Sequence, residues 1–384
     1  MRVTQRTNLW IFICMVVLLA ITLTSCGQDE PPVTVVPDRP ADPVVEVDDE
    51  FLGNMRGLTS MALVSEMGIG WNLGNSFDVI DKDKTVWGNP LSSSTHVRAV
   101  KAMGFETFRI PITWNFDQLQ TAPYTIEPAY LARIETIVNE ALKNDMHVII
   151  NTHHDDWIIP TEAEAAKVRE RLASIWTQVS NHFSEYGDKL IFEVMNEPRL
   201  RNSPEEWSGG TQEGRDVVNS FQQASVDAIR ATGGNNSTRH LMIPTYAAST
   251  TPSAMEDLVV PNNDPNVIIS LHSYFPWSFA GQEDGTNIWG SDEEKAALEN
   301  ELDWIRDRWV VRENRAVILG EWGTTDKNNL TARTEYSIFY TTEALKRGLL
   351  PIIWDDGGNF GMYDRNTNTW KYPEIAEAVV AAAK

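Results

Sequence analysis

The sequence predicts a (β/α)8 barrel, and three observations carry that prediction. From residue 67 onward, a short apolar run alternates eight times with an amphipathic stretch. The runs are apolar almost throughout, which indicates parallel strands that are covered by helices. Each run ends in polar or aromatic residues, as expected where the carboxyl ends of barrel strands share one face. A doubly wound open sheet is the alternative, but "WNLGN" is not the Gly-rich phosphate turn that such a sheet has after its first strand.

The predicted strands follow one another in chain order. They are "IGWNLGN" (69–75), "FETFRIPI" (105–112), "HVIINTHHD" (147–155), "LIFEVMNEP" (190–198), "HLMIPTY" (240–246), "VIISLHSYF" (267–275), "AVILGEWG" (316–323) and "LPIIWDDGG" (350–358). Helical patterns separate them. In the stretch before the third strand, Pro128 stands in a predicted first turn and apolar residues recur at helical spacing at Leu131, Ile134, Val138, Ala141 and Leu142. The last residues predict an Ala-rich helix, and one catalytic domain is expected over residues 51–384.

The first 25 residues are predicted to be a lipoprotein signal peptide. Arg2 and Arg6 precede an apolar stretch over 9–23 that has the length of a signal sequence and is short for a membrane span. The following "LTSC" resembles a bacterial lipobox, in which cleavage occurs before the cysteine and lipid is attached to Cys26. An ordinary signal peptide with an incidental cysteine is the alternative.

Residues 26–50 are predicted to be the lipidated cysteine and an acidic, Pro-rich tether. The segment "GQDEPPVTVVPDRPADPVVEVDDE" has neither a helical nor a strand period. Acidic residues directly after Cys26 resemble the surface-export pattern of some bacterial lipoproteins. We therefore expect an outer-membrane lipoprotein that is exposed at the cell surface, and otherwise a secreted or periplasmic protein.

The charge and the tryptophan content narrow the class of partner. The formal net charge is −22, which would repel nucleic acid and anionic lipid. The 14 tryptophans are as compatible with core packing as with ligand contacts. As a group they suit sugar binding, because a flat aromatic face complements the C–H face of a pyranose.

Polar residues collect where the predicted strands end. Buried polar groups at this density destabilise a fold unless they bond one another or a ligand, so a functional site is predicted at this face. The residues concerned are Asn72, Asn75, Arg109, His153, His154, Asn196, Glu197, Tyr246, His272, Tyr274, Glu321, Trp322, Trp354 and Asp355.

Two of these residues are carboxylates on opposite strands of the predicted barrel. Glu197 ends the fourth strand and Glu321 the seventh, so their side chains can face each other across a cleft. A single buried Glu is more often part of a structural ion pair, but two that flank one cleft are the equipment of glycoside hydrolysis. One carboxyl group must carry a proton while the other stays ionised, so their surroundings must separate the two pKa values.

The strand-end motifs resemble a known enzyme family. "FRIP", "NTHHD", "MNEP", "LHSY", "GEWG" and "IIWDD" occur in the order and at the strands typical of glycoside hydrolase family 5, from about residue 67 to the last strand. "GWNLGNSFD", "WGNP", "RATGGNN" and "TYAAS" further resemble its subfamily 4 of endoglucanases, xyloglucanases and lichenases.

The resemblance implies a role for individual residues of this chain. Glu197 would be the general acid/base and Glu321 the nucleophile. Arg109 and Tyr274 would support Glu321, and His272 would support Glu197. The remaining implied contacts are Asn196 at the sugar 2-hydroxyl, Trp354 as the platform under the sugar, and His153 and His154 at the sugar and the catalytic residues.

No catalytic metal and no cofactor are expected, although "HHDD" (153–156) consists of residue types that bind zinc. Zinc would need three or four ligands in suitable geometry, and Asp155 and Asp156 run on past the predicted strand end. Because neighbouring residues of a strand point to opposite faces, one histidine should face the site and the other should pack outward. His153 is predicted to be the one in the site.

For a second group of residues, the sequence does not decide between a contact with the ligand and a structural role in a loop. Asn72, Asn75 and Trp114 could contact a glucan or could hold barrel loops together. The stretch "SYFPWSFAG" (273–281) could form an aromatic wall on the leaving-group side or pack as a loop.

The predicted function is therefore a retaining endo-β-1,4-glucanase that acts on β-glucan polysaccharides, expected to be a monomer. A xyloglucan-specific endo-β-1,4-glucanase is the nearest alternative, and a mannanase is more distant. A non-catalytic glycan-binding surface lipoprotein is the alternative from another class, but it would need neither glutamate.

Overall fold

The computed structural model describes residues 53–384, in which eight parallel strands close into one barrel. Each strand pairs with the next in the chain, and β8 pairs with β1 through Gly70–Ile352 and Trp71–Ile353. The predicted barrel is confirmed, and closure of the sheet excludes the open doubly wound alternative. The strands are β1 (Gly70–Asn72), β2 (Thr107–Ile110), β3 (His147–Asn151), β4 (Leu190–Glu193), β5 (Leu241–Pro244), β6 (Val267–His272), β7 (Val317–Trp322) and β8 (Leu349–Ile353).

Helices alternate with these strands and cover the barrel. The predicted helix before β3 is present, with Pro128 at its first position, and the Ala-rich stretch forms the last helix. The helices are α1 (Ser60–Glu66), α2 (Ser94–Met103), α3 (Pro128–Lys143), α4 (Glu162–His182), α5 (Gln212–Ala231), α6 (Pro252–Glu256), α7 (Trp277–Ala280), α8 (Asp292–Ile305), α9 (Leu330–Lys346) and α10 (Pro373–Ala382). A π-helical turn, Arg306–Val311, extends α8, and a short hairpin of β9 (Tyr363–Asp364) and β10 (Thr369–Trp370) follows β8.

Strand alternation divides the apolar residues into two clusters. On β3, Val148 and Ile150 belong to the large cluster between the barrel and its helices, whereas Ile149 belongs to the cluster inside the barrel. Leu63 of α1 packs into that inner cluster, so α1 closes the amino-terminal end of the barrel with apolar side chains. The polar strand ends are therefore left to the opposite, carboxyl-terminal face.

The strand pairing is irregular near the end of β7. Leu271 of β6 pairs with Leu319, but the next residue, His272, pairs with Glu321, so Gly320 is an extra residue in β7. A bulge of this kind re-aims the side chain that follows it. A β-carbon at Gly320 would lie 3.1 Å from Nε2 of His272, so a glycine lets β6 and β7 approach closely here.

The expectations for the amino-terminal segments lie outside the described residues. These are the signal peptide over 1–25, the tether over 26–50 and lipid attachment to Cys26. Within residues 53–384, no helix combines the length and the apolar character needed to cross a membrane.

Candidate active site

Glu197 and Glu321 face each other at the carboxyl-terminal mouth of the barrel. Glu321 belongs to β7, and Glu197 follows the end of β4 by four residues. Only 14% of the Glu197 side chain and 7% of the Glu321 side chain are exposed. An oxygen of each carboxyl group lies within 4.8 Å of an oxygen of the other. This approach fits the separation of roughly 5–5.5 Å between the two carboxyl groups of a retaining glycosidase.

Hydrogen-bond donors hold Glu321 from two sides. Nη1 of Arg109 donates to Oε1 at 2.9 Å, and the hydroxyl of Tyr274 donates to Oε2 at 3.0 Å. Burial raises the pKa of Glu321, while the charges of His272 and Arg109 act in the opposite direction. Both predicted supports of Glu321 are thus in contact with it.

Arg109 of β2 connects Glu321 to three other side chains. Nη1 also donates to Oδ1 of Asn72 at 2.8 Å, Nη2 donates to Oδ1 of Asn196 at 2.7 Å, and Nε donates to Oε2 of Glu193 at 2.7 Å. Burial acts to lower the pKa of Arg109, but the charges of Glu193 and Glu321 outweigh it and raise the pKa. Arg109 is therefore a permanent cation whose orientation is defined by partners on every edge.

Glu197 has cations as neighbours. Nδ1 of His272 lies 2.8 Å from Oε1, and Nη1 of Arg199 donates to Oε2 at 3.2 Å. Burial alone would raise the pKa of Glu197, but the hydrogen bond and charge of His272, together with the charge of Arg199, lower it to about 2. The carboxylate form of Glu197 is thus favoured while His272 is protonated.

One proton can move between Glu197 and His272. Burial acts to lower the pKa of His272, but the charges of Glu321 and Glu197 and a hydrogen bond to Glu197 raise it. Among residues 53–384, Nε2 of the ring has no hydrogen-bond partner, so the ring bonds through Nδ1. Transfer of the proton from Nδ1 to Oε1 across 2.8 Å would protonate Glu197 without changing the charge of the pair.

The predicted platform residue Trp354 lies beside this pair, just after β8. Its ring is parallel to the imidazole of His153, with 5.8 Å between the centroids, and Nε2 of His153 lies 3.8 Å from Oε1 of Glu321. A β-carbon at Gly74 would lie 2.6 Å from the ring of Trp354. Glycine at position 74 therefore leaves the space that the indole of Trp354 occupies.

The expectation that one of the two histidines packs outward is wrong. Strand β3 ends at Asn151, so the alternation of a strand no longer governs residues 153 and 154. The rings of His153 and His154 meet edge to face at 4.3 Å, and Nε2 of His154 lies 4.0 Å from Oδ2 of Asp78. Burial lowers the pKa of both histidines, that of His154 to about 4, so both are neutral hydrogen-bonding groups near pH 7 at the mouth of the site.

The aspartates of the "HHDD" run close loops. The carboxylate of Asp155 accepts the backbone N–H groups of Trp114 and Asn115 and the indole N–H of Trp157. Asp156 accepts the side-chain amide of Asn115. Asp155 and Asp156 therefore join the loops after β2 and β3 through hydrogen bonds.

Two clusters of three possible metal ligands occur in the described part of the chain. One is Glu197, His272 and Glu321; the other is Asp78, His153 and His154. In the second cluster, Asp78 already accepts the backbone N–H groups of residues 75 and 76. In the first, Glu197 bonds His272 and Arg199. Glu321 bonds Arg109 and Tyr274, so hydrogen bonding accounts for the arrangement.

The structure shows different contacts for the three residues that the sequence left undecided between binding a glucan and closing a loop. Trp114 is fully buried and its indole N–H donates to the carbonyl of Asn151, so the glucan contact considered for it is wrong. Asn72 is also fully buried, and it supports Arg109. Asn75 adopts a φ of 52° and its N–H donates to Asp78 at 3.0 Å, so its backbone closes the loop after β1, while a glucan contact of its side chain stays a prediction.

Sequence reasoning missed Glu193 and Arg199. Glu193 is the last residue of β4 and is fully buried beneath Arg109. The signal was available, since a charged residue inside "LIFEV" breaks an otherwise apolar run and needs a partner. Arg199 directly follows "NEP", but only the fold shows that it turns back onto Glu197.

Exposed tryptophans stand beside the site residues. Trp277 is 59% exposed and its ring meets that of Tyr274 edge to face at 6.3 Å. Trp207 is 58% exposed and lies 4.1 Å from the guanidinium of Arg199. The stretch 273–281, for which both an aromatic wall and a packed loop were considered, has features of each: Trp277 is open to solvent, whereas Phe279 is buried in the core.

Comparison with known proteins identifies relatives over most of the chain. A family model described as cellulase (glycosyl hydrolase family 5) matches residues 71–359. Endoglucanase B of Clostridium cellulovorans is 45% identical over 341 residues, which cover 86% of this chain and 77% of that protein. Cellulase/esterase CelE of Acetivibrio thermocellus is 45% identical over 337 residues, and this chain spans only 41% of its length.

Solved structures give the same result. The structure of ZgEngAGH5_4 in complex with a cellotriose has a TM-score of 0.84 and 50% sequence identity, and the match covers 85% of this chain and 100% of that one. XEG5A, a xyloglucan-specific endo-β-1,4-glucanase from a metagenomic library in complex with cellotriose, has a TM-score of 0.81 and 33% identity, with 84% and 99% covered.

Proposed function

The chain belongs to glycosyl hydrolase family 5, and from that membership we propose that it is a retaining endo-β-1,4-glucanase acting on β-glucan polysaccharides. The observation that carries the proposal is the facing pair Glu197 and Glu321, whose partners suit two different tasks. Oε1 of Glu197 lies 2.8 Å from Nδ1 of His272, a group that can hold the proton that a general acid delivers. Glu321 accepts two hydrogen bonds from Arg109 and Tyr274, which hold a carboxylate in one orientation, as a nucleophile requires.

In the first step, the proton held by the Glu197–His272 pair is delivered from Glu197 to the glycosidic oxygen. A carboxylate oxygen of Glu321 attacks the anomeric carbon as the bond to the leaving sugar breaks, which forms a glycosyl ester. Asn196 has its amide oxygen on Arg109, so Nδ2 is the atom left to donate to a sugar 2-hydroxyl. That contact strengthens as positive charge develops on the ring.

In the second step, Glu197 works as a base. Its carboxylate takes a proton from water, the water oxygen attacks the anomeric carbon, and the ester to Glu321 breaks. Both carboxyl groups return to their starting state, and the product keeps the configuration of the substrate. Trp354 offers the flat face for the sugar at the point of cleavage, because it stacks on His153 directly beside Glu321.

Two measurements test this assignment. Proton NMR of the first product formed from cellotetraose should show the β anomer, and an initial α anomer would contradict a retaining mechanism. Glu321→Gln should abolish turnover while calorimetry still detects oligosaccharide binding. Persistent hydrolysis by this variant would overturn the nucleophile, and binding without turnover by the wild type would favour the non-catalytic alternative.

The preferred polymer depends on whether the cleft accepts a glucan chain that carries xylose branches. XEG5A supports xyloglucan as a second candidate substrate, whereas other relatives are named endoglucanases without a branch preference. Initial reducing-sugar release should be compared on xyloglucan, carboxymethylcellulose, mixed-linkage β-glucan and galactomannan. A large preference for xyloglucan would assign a branch-specific enzyme, comparable rates on unbranched glucans a general endoglucanase, and a preference for galactomannan a mannanase.

We also propose that lipid on Cys26 anchors the enzyme at the outer membrane, facing the cell surface. The support is the basic and apolar start of the chain, the "LTSC" motif and the acidic segment that follows it. Metabolic labelling with a palmitate analogue should mark the wild type and leave Cys26→Ala unmarked. Equal labelling of both would refute the anchor and leave a secreted or periplasmic enzyme.

A further inference from the structure

We propose that Glu193 is a positioning residue for the reaction, which holds the guanidinium of Arg109 so that one edge faces Glu321 and another faces Asn196. The proposal rests on the function proposed above. It concerns a residue that lies beneath the reacting groups, so Glu193 acts through Arg109 and not on the substrate.

Glu193 is a fully buried carboxylate with donors from three other strands. Oε2 accepts Nε of Arg109 from β2 at 2.7 Å and Nδ2 of Asn151 from β3 at 2.9 Å, and Oε1 accepts the hydroxyl of Ser270 from β6 at 2.6 Å. No part of the side chain is exposed. A carboxylate in such a place destabilises a fold unless all its lone pairs are used, so its position in the barrel is defined by these contacts.

The contact with Glu193 fixes the direction of Arg109. A guanidinium is a rigid planar fork, so a partner at Nε determines where both terminal nitrogens point. With Nε on Glu193, Nη1 reaches Glu321 at 2.9 Å and Nη2 reaches Asn196 at 2.7 Å. Two groups that would act on the sugar thus depend on one contact at the opposite edge of the fork.

The same carboxylate also orients His153. Nδ2 of Asn151, which donates to Glu193, lies 3.1 Å from Nδ1 of His153, and His153 stacks on Trp354. Glu193 therefore supports the nucleophile side of the site through Arg109 and the sugar platform through Asn151.

Charge gives the proposal a distinct signature. Glu193 and Glu321 share the positive charge of Arg109, since each forms an ion pair with it. Replacing Glu193 by Gln removes one negative charge and leaves the cation of Arg109 to Glu321 alone. Glu321 then stays ionised to lower pH, but it is a weaker and less well-placed nucleophile.

The test is the pH profile of kcat/KM for Glu193→Gln on cellotetraose. We expect kcat to fall by about tenfold or more, because small misplacements of reacting groups are costly. KM should change much less than kcat, because the groups that Arg109 orients, Glu321 and Asn196, act most strongly in the transition state. The acid limb should move to lower pH by on the order of one unit, as Coulomb's law gives for one charge across a guanidinium in a buried site.

Asp188→Asn is the matched control. Asp188 is also a buried carboxylate that accepts from an arginine, Arg56 at 2.6 Å, but it precedes β4 at the opposite end of the barrel. This variant should lose thermal stability without moving the acid limb. A wild-type pH profile and kcat in folded Glu193→Gln, or equal losses of kcat in both variants with no shift of the limb, would overturn the proposal.

A crystal structure of Glu193→Ala separates this proposal from the proposed function. The guanidinium of Arg109 should rotate and lose its contact with Glu321 or Asn196, whether or not any glycan is hydrolysed. An unchanged Arg109 would refute the positioning role even in an active enzyme. A wild type that hydrolyses no glycan would refute the function, while a rotated Arg109 would still support the positioning role.

Discussion

Arg199→Gln should extend the activity of the enzyme to higher pH. The guanidinium donates to Oε2 of Glu197 at 3.2 Å, and its charge lowers the pKa of that carboxyl group. The pair Glu197–His272 must hold a proton for the leaving group, so activity is lost as pH rises through the pKa of the pair. Removing a neighbouring cation makes the proton harder to lose, whichever of the two groups carries it, and moves the alkaline limb upward.

The geometry sets the size of the effect. A unit charge at 3.2 Å is worth roughly 1–5 kcal/mol for an effective dielectric constant between about 80 and 20. Since about 1.4 kcal/mol corresponds to one pH unit, the shift should be roughly one to four units. Arg199 is also paired with Glu206 at 3.0 Å, which offsets part of its charge, so we expect the lower end, about one unit.

The assay compares two substrates of one site. The pH dependence of kcat/KM on cellotetraose reports the proton donor, whereas 2,4-dinitrophenyl β-cellobioside has a leaving group that needs no proton. The alkaline limb should move on the first substrate and be weak on the second. Arg199→Lys keeps the charge and should keep the wild-type limb. An alkaline limb for Arg199→Gln that stays in place or moves to lower pH would refute the reasoning.

Three further outcomes test other parts of the structure. Tyr274→Phe removes a hydrogen-bond donor to Glu321, so kcat/KM should fall roughly thirtyfold, which corresponds to about 2 kcal/mol of transition-state stabilisation. The acid limb of the pH profile should move to higher pH, and an unchanged profile would count against this contact. Gly74→Ala should displace Trp354, because its β-carbon would lie 2.6 Å from the ring, and calorimetry should show weaker binding of cellotriose. Ile191→Ala in the inner cluster should lower the free energy of unfolding by about 2–5 kcal/mol in urea and leave the pH profile unchanged.

The strands were predictable from the sequence because burial on both faces leaves an apolar run that few other structures produce. The same logic located Glu197, Glu321, Arg109 and Tyr274, since each follows or ends such a run. It failed for the two adjacent histidines, because the alternation rule holds only while a strand continues and β3 ends at Asn151. The point at which pairing stops depends on neighbouring strands, and no single run of residues reveals it.

Contacts between loop residues could not be predicted from the sequence for a related reason. Arg199 lies two residues from Glu197, a spacing that in a strand would place both on one face but in a loop predicts nothing. Two loop residues orient its guanidinium toward Glu197. Glu206 accepts a hydrogen bond from Nε of Arg199 at 3.0 Å, and the guanidinium lies over the ring of Trp207, 4.1 Å from its centre. Trp114 could not be decided from the sequence between glucan contact and loop closure, and the fold decides it, because the carbonyl of Asn151 accepts its indole N–H inside the core.

The buried charges at the mouth of the barrel are better explained by function than by stability. A buried ion pair such as Arg109–Glu193 is often no more stabilising than well-packed apolar side chains of the same volume. The inner cluster shows that this barrel can fill its interior with apolar residues, as it does around Ile149 and α1. Replacing Arg109 and Glu193 together by Met and Leu should therefore destabilise the fold less than Glu193→Ala, which leaves the buried cation of Arg109 without its partner. Turnover should be lost in the double variant, because Glu321 would keep only the hydroxyl of Tyr274 and the charge of His272 at 3.6 Å against its burial. Urea unfolding of this double variant beside Glu193→Ala decides the point: if the double variant is less stable than the single one, the network contributes to the fold itself and its retention needs no functional cause.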